Sequence, residues 1–150
     1  AVKLEGAHIE TVKKLVTSGI PVMGHLGLTP QSMHQLGGYK VQGRTDGDVI
    51  LEAAKVLQGA GAFAIVLELV PAELAARITS ALSIPVIGIG AGVNCDAQVL
   101  VWTDLMGITK KAPKLAKAYR NLRAEMLAAT AEFAAAVRSG QFPTEAQTFN

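Results

Sequence analysis

The sequence contains few residues of the kinds that form crosslinks or membrane spans. Cys95 is the only cysteine among 150 residues, which excludes an internal disulfide and a CxxC redox or zinc pair and favours a reducing, cytoplasmic location. No apolar run approaches the roughly 20 residues that a membrane helix needs. We therefore expect neither a disulfide-stabilised secreted domain nor a membrane protein.

Charge is also scarce. Charged residues make up 17% of the chain and hydrophobic residues 50%, the opposite of the balance in disordered proteins. The net charge is +2 and the basic residues are scattered, which gives no electrostatic signal for nucleic acid or an anionic membrane. The length suits one domain, and we expect residues 1–150 to form a single domain.

Strand and helix patterns alternate along most of the chain. Apolar runs at 1–5, 20–23, 62–70, 84–89 and 99–102 predict five strands. Helical spacing of apolar residues at 8–18, 48–59 and 71–82 predicts helices between them, and the glycine-rich stretch 37–48 is interpreted as a functional loop. This alternation predicts an α/β fold with a parallel sheet.

The C-terminal part has a different pattern. Apolar residues repeat every three or four positions for more than twenty residues, which predicts one amphipathic helix that docks on the body of the protein or on another subunit. The stripe consists of Leu115, Tyr119, Leu122, Met126, Ala129, Phe133 and Val137. We therefore divide the domain into strand–helix units at 1–112 and a helix with a tail at 113–150.

Four polar residues lie where parallel strands are predicted to end, the usual place for chemistry in such folds. Lys3 and Glu5 are two residues apart on one strand and so point to the same side, either as site residues or as a structural ion pair. Glu68 interrupts an apolar strand; such a buried carboxylate suits a general base or pairs with a buried cation. His25 follows a strand between glycines and is either a ligand-binding or a hydrogen-bonded structural residue.

The chain lacks a Ser-His-Asp set, an HxxxH pair, a Walker loop and a cysteine-based metal site. The remaining Lys, His and two Glu suit proton abstraction next to a carbonyl, with a hard divalent ion on carboxylate oxygens stabilising the enolate.

Several ordered motifs resemble those of ketopantoate hydroxymethyltransferase, and the resemblance runs from the first residue to Phe149. The motifs are Val-Lys-Leu-Glu-Gly at 2–6, Gly-His-Leu-Gly-Leu-Thr-Pro-Gln-Ser at 24–32, Gly-Gly-Tyr-Lys-Val-Gln-Gly-Arg at 37–44, Ile-Pro-Val-Ile-Gly-Ile-Gly-Ala-Gly at 84–92 and Cys-Asp-Ala-Gln-Val-Leu-Val at 95–101. The resemblance implies a (β/α)8 TIM barrel of the phosphoenolpyruvate/pyruvate type, of which this chain covers about the last five strands plus a C-terminal helix. It also implies that the family's two magnesium-binding aspartates lie upstream of Ala1.

The same resemblance implies a function and site roles. It implies hydroxymethyl transfer from 5,10-methylenetetrahydrofolate to 3-methyl-2-oxobutanoate, giving 2-dehydropantoate in pantothenate biosynthesis, with Mg²⁺ and a homodecameric assembly. By this resemblance Glu68 is the proton acceptor, Lys3 and His25 bind substrate, and Glu5 is associated with the metal. Two alternatives are a carbon–carbon lyase or mutase of the isocitrate lyase and phosphoenolpyruvate mutase group, and an inactive fragment that lacks the N-terminal metal ligands.

Overall fold

The computed structural model describes residues 1–149, which divide along the chain into two compact units, the first ending at Val99 and the second beginning at Leu100. The first unit contains five strands: β1 (Val2–Glu5), β2 (Val22–Gly27), β3 (Ala64–Glu68), β4 (Val86–Ile89) and β5 (Ala97–Gln98). Its helices are α1 (Ile9–Thr17), α2 (Gly47–Gly59) and α3 (Ala72–Ala81), with a short 3₁₀ turn at Pro30–Ser32. The predicted order of strands and helices is confirmed from β1 to β4.

The five strands form one parallel sheet in the order β1-β2-β3-β4-β5. Each strand lies beside the next in sequence, as in a singly wound barrel, whereas a doubly wound sheet reverses its order at a switch point. The parallel α/β class is therefore confirmed. Closure into an eight-stranded barrel, with this chain as its last five strands, stays a prediction.

The hydrophobic core lies on one side of this sheet. Side chains of β2, β3 and β4 that point to that side pack against α1, α2 and α3, and the largest of these buried residues are Val12, Val22, Leu57, Ile65, Leu67, Ile78 and Val86. Each of the helices α1 to α3 buries residues against the sheet: Val12 from α1, Ala54 and Leu57 from α2, and Leu74, Ala75 and Ile78 from α3. In α2 the predicted apolar face is buried only in part, because Val49 and Val56 are exposed. Because side chains alternate along each strand, the residues between these core positions point to the opposite side of the sheet.

The prediction of a strand at 99–102 is wrong. β5 instead ends at Gln98, and Trp102 begins the short helix α4 (Trp102–Leu105) of the second unit. The apolar run at 99–102 predicts the wrong position because the position of β5 is determined by its pairing with β4. Ala97 lies opposite Ile87 and Gln98 lies opposite Gly88. The Asp96 carboxylate also accepts a hydrogen bond from the amide of Val86 (2.8 Å), which a count of apolar residues does not detect.

The second unit also shortens the predicted C-terminal helix. Helix α5 spans Leu122–Arg138, so Leu115 and Tyr119 lie outside it, and a 3₁₀ turn follows at Glu145–Gln147. The backbone amides of Tyr119 and Leu122 donate to the carbonyls of Leu105 and Met106 instead of forming an earlier helical turn. Asn121 then caps α5 by accepting from the amide of Ala124.

No residue of α5 is buried, so its predicted docking on the body or on another subunit stays a prediction. Among the helices of residues 1–149, none is long and apolar enough to cross a bilayer.

Candidate active site

The four candidate residues come together on the side of the sheet opposite the core. β1 pairs with β2 so that Glu5 lies opposite His25, and β2 pairs with β3 so that Gly27 lies opposite Glu68. Lys3 is two residues before Glu5, and Gly27 is two residues after His25, so all four side chains share one face. The register of three neighbouring strands therefore assembles the predicted set.

His25 is the centre of this cluster. Its Nδ1 lies 2.9 Å from Lys3 Nζ and 3.7 Å from Glu5 Oε1, and its Nε2 lies 3.2 Å from Glu68 Oε2. Lys3 Nζ also lies 3.4 Å from Glu5 Oε1. The sequence left open whether Glu68 pairs with a buried cation. Among the described residues it has no Lys or Arg partner, and its ionisable neighbour is the imidazole of His25.

Burial differs between the four residues. The side chain of Lys3 is 45% exposed, whereas those of Glu5 (9%), His25 (4%) and Glu68 (12%) are largely shielded from water. The charges of one lysine and two glutamates sum to −1 when the histidine is neutral. In such a shielded site, charges and hydrogen bonds act more strongly on a ligand than they would in water.

Glu5 is held by a contact that the sequence analysis missed. The backbone amide of Gln31, in the 3₁₀ turn after β2, donates a hydrogen bond to Glu5 Oε2 (3.0 Å). The Thr29-Pro30 pair in the sequence signals this turn, since Pro suits a first helical position. Nothing in the sequence shows that the turn folds back onto a carboxylate of β1.

The backbone around Glu68 is unusually constrained. Its carbonyl accepts from the amide of Leu28 (2.8 Å), and the next residue, Leu69, has a φ of 47°, the one positive φ among the described non-glycine residues. The Leu69 amide donates to the Ile89 carbonyl, and the Leu69 carbonyl accepts from the amide of Gln42. A strained residue fixed on both sides is common at functional sites, and this one ends the strand that carries Glu68.

The cluster fits a magnesium site only in part. Residues 1–149 contain no group of three or more His, Cys, Asp or Glu side chains placed to hold a metal ion. Mg²⁺ is commonly bound by one or two carboxylates, with waters and substrate oxygens completing the octahedron. Glu5 is a carboxylate of the kind that such a site uses, but the described residues do not complete one.

Two other features of the first unit lie apart from this cluster. A cavity of about 580 Å³ is lined by residues that include Arg44, Asp48, Glu73 and Arg77, and none of the four candidate residues lines it. Cys95 is half-buried near the core; burial raises the pKa of its thiol, a hydrogen bond from Thr79 lowers it, and the charge of Asp96 raises it. A cysteine with a raised pKa makes a poor nucleophile at neutral pH.

A parallel α/β sheet that carries Glu5, His25 and Glu68, largely shielded from water, and a half-exposed Lys3 on one face has the arrangement of an α/β enzyme. The model of the family described as ketopantoate hydroxymethyltransferase matches residues 1–145. This chain belongs to the ketopantoate hydroxymethyltransferase family, as its motifs indicate.

Curated relatives agree with that family. The chain is similar to the 3-methyl-2-oxobutanoate hydroxymethyltransferase of Rippkaea orientalis, with 57% identity over 95% of this chain and 57% of the relative. Proteins with the same name from Acidothermus cellulolyticus and Geobacter sulfurreducens are 56% and 52% identical, over 99% and 100% of this chain and 56% and 58% of their own lengths. The chain thus spans little more than half the length of these relatives, all of which are named as transferases.

Proposed function

We propose that the protein containing this chain transfers a hydroxymethyl group from 5,10-methylenetetrahydrofolate to 3-methyl-2-oxobutanoate, giving 2-dehydropantoate for pantothenate synthesis. The observation that carries the proposal is the convergence of Lys3, Glu5, His25 and Glu68 on one face of the sheet. The relatives' names, which specify 3-methyl-2-oxobutanoate and a hydroxymethyl group, support the choice of keto acid and of transferred group. We further propose a cytoplasmic homodecamer that uses Mg²⁺.

Proton abstraction is the step that these residues perform most directly. We assign the removal of the proton from C3 of the keto acid to Glu68. Its position on a buried strand, without a Lys or Arg neighbour among residues 1–149, supports this assignment. The negative charge then moves to the keto oxygen, and the ammonium of Lys3, the most exposed of the four side chains, is the cation available to stabilise it.

The remaining bond changes follow from the proposed substrates. C3 forms a bond to the methylene carbon of the folate, both C–N bonds of that carbon break, and water supplies the hydroxyl oxygen while protons pass to the two folate nitrogens. A bound Mg²⁺ would polarise the keto and carboxylate oxygens of the keto acid and so make C3 more acidic. Glu5, held by the amide of Gln31, is the carboxylate that would face the ion.

Exchange of the C3 proton with D₂O isolates the step assigned to Glu68. The exchange is followed by ¹H NMR of 3-methyl-2-oxobutanoate. We expect Glu68→Gln in the complete gene product to reduce the exchange rate at least ~100-fold, the range attributed to a general base. Glu73→Gln, an exposed residue of α3, is the matched control and should exchange at the unaltered rate. Normal exchange in Glu68→Gln would contradict the assignment, and exchange without product when folate is added would contradict the proposed co-substrate.

A further inference from the structure

The imidazole of His25 has one satisfied and one unsatisfied nitrogen. His25 is 3% exposed, and Lys3 Nζ lies 2.9 Å from its Nδ1. Nε2 is buried and has no hydrogen-bond partner within residues 1–149, although Glu68 Oε2 lies 3.2 Å away. A buried polar nitrogen without a partner destabilises the folded state, because it has lost its hydrogen bonds to water without replacement. The position of this nitrogen therefore needs a physical reason.

The contact with Lys3 determines which ring nitrogen carries the proton. An ammonium group has three donors and no acceptor, so Nδ1 must accept the hydrogen bond through its lone pair. In a neutral imidazole the single N–H is then on Nε2. Lys3 therefore directs an N–H group of His25 towards the carboxylate of Glu68.

The 3.2 Å separation of His25 Nε2 and Glu68 Oε2 is within hydrogen-bond range, but the N–H does not point at the oxygen closely enough to form the bond. The terminal torsion of a glutamate is broad, so the carboxylate can turn to meet the N–H at little cost. Catalytic hydrogen bonds are commonly misaligned before substrate binds and tighten in the complex.

The remaining polar contacts of the His25 ring also favour Glu68 as the partner of Nε2. The polar contacts of its ring join Lys3, Glu5 and Glu68, which are the other members of the cluster. A histidine that served only the fold would be expected to bond to backbone groups or to residues outside the site.

We propose that His25 is a positioning residue, held by Lys3 as the Nε2–H tautomer, and that this N–H orients the carboxylate of Glu68 for proton abstraction. The inference rests on the proposed function, since it assigns Glu68 the role of base. It adds that Lys3 has a second task, because its ammonium selects the tautomer in addition to facing substrate.

The tautomer can be measured without any assay of activity. In the complete gene product labelled with ¹⁵N-histidine, two-bond ¹H–¹⁵N spectra should show a protonated Nε2 and an unprotonated Nδ1 for His25, with the signal assigned by its loss in His25→Gln. A proton on Nδ1, alone, in a mixture or together with one on Nε2, would overturn the proposal.

Two amide substitutions test the link to Glu68. The amide of glutamine reaches the position of Nε2 and that of asparagine the position of Nδ1, so His25→Gln retains a donor near Glu68 and His25→Asn does not. We expect kcat for C3 exchange to fall ~100-fold in His25→Asn and no more than ~10-fold in His25→Gln, with KM changed less than ~3-fold in both. Equal loss in both variants, or none in His25→Asn, would overturn the inference, whereas failure of the proposed function itself appears separately as normal exchange in Glu68→Gln.

Discussion

Gly27 and Glu68 lie opposite each other on β2 and β3, and a Cβ atom on Gly27 would stand 2.2 Å from the carbonyl oxygen of Glu68. That carbonyl accepts the hydrogen bond of Leu28, which fixes the two strands at their carboxyl ends. Gly27 also has a φ of +89°, a conformation that side chains rarely adopt. The close approach of these strands therefore depends on the absence of a side chain.

Replacement of Gly27 by alanine should lower the free energy of unfolding by about 2–4 kcal/mol, because the new methyl group meets fixed backbone. Gly19→Ala is the control: Gly19 has a φ of +80°, but nothing lies within 4 Å of the added Cβ. It should cost only the roughly 1–2 kcal/mol of the left-handed conformation. Urea unfolding compares the two, and equal losses would show that the contact with Glu68 is unimportant.

At Leu69 we expect an unusual ranking of substitutions. A φ of 47° is costly for any residue with a Cβ and most costly for β-branched ones. Leu69→Gly relieves this strain while removing a half-buried side chain, and should change stability by no more than about 1 kcal/mol. Leu69→Val should destabilise the protein by about 2 kcal/mol or more. Thermal unfolding decides between them, and a more stable valine variant would refute the argument from backbone strain.

The thiol of Cys95 should react slowly with iodoacetamide at neutral pH. Burial raises its pKa, so the thiolate fraction stays small and the alkylation rate should still be rising above pH ~8.5, where an ordinary free thiol is half ionised. The stabilisation from the buried neutral thiol is complete below the ordinary thiol pKa and disappears as the pH rises through the raised value.

Asp96→Asn tests the cause of this shift, because it removes a charge that raises the pKa of Cys95 and retains an oxygen for the amide of Val86. The midpoint of the alkylation profile should move to lower pH. Cys95→Ser supplies the background rate, and an unmoved midpoint would exclude a contribution from Asp96.

Glu5→Gln should weaken the magnesium binding that we propose. Glutamine retains an oxygen for the Gln31 amide, so the position of the side chain is maintained while its charge is lost. We expect the Mg²⁺ concentration for half-maximal C3 exchange to rise ~10-fold or more, as for residues that support a metal site. Glu10→Gln, an exposed residue paired with Lys13, should leave it unchanged. An unaltered requirement in Glu5→Gln would remove Glu5 from the metal site.

The sequence alone predicted the helices and strands of the first unit well, because each local pattern agrees with the tertiary packing. Helical spacing located α1, α2 and α3, and the near-continuous apolar run located β3. β5 and the start of α5 depend on contacts with β4 and α4, and residues 99–102 and 115–121 carry apolar patterns that do not reveal those partners.

In the candidate site, too, some features follow from local sequence patterns and others only from the folded chain. The spacing of Lys3 and Glu5 predicts their shared face, and the polarity of Glu68 within an apolar strand identifies it as unusual. The central place of His25 follows from the register between β1, β2 and β3, which no local pattern encodes. The contact of Gln31 with Glu5 and the strained φ of Leu69 are likewise products of the folded chain.

Because side chains alternate along the strands, adjacent positions have different tasks: one packs in the core and the next faces the candidate site. Leu4 packs against the core while its neighbours Lys3 and Glu5 reach the opposite face, and in β3 the buried Leu67 precedes Glu68. A mutational scan along these strands should therefore alternate, residue by residue, between variants that lose abundance and variants that lose turnover. Thermostability can be engineered at one set of positions without touching the other.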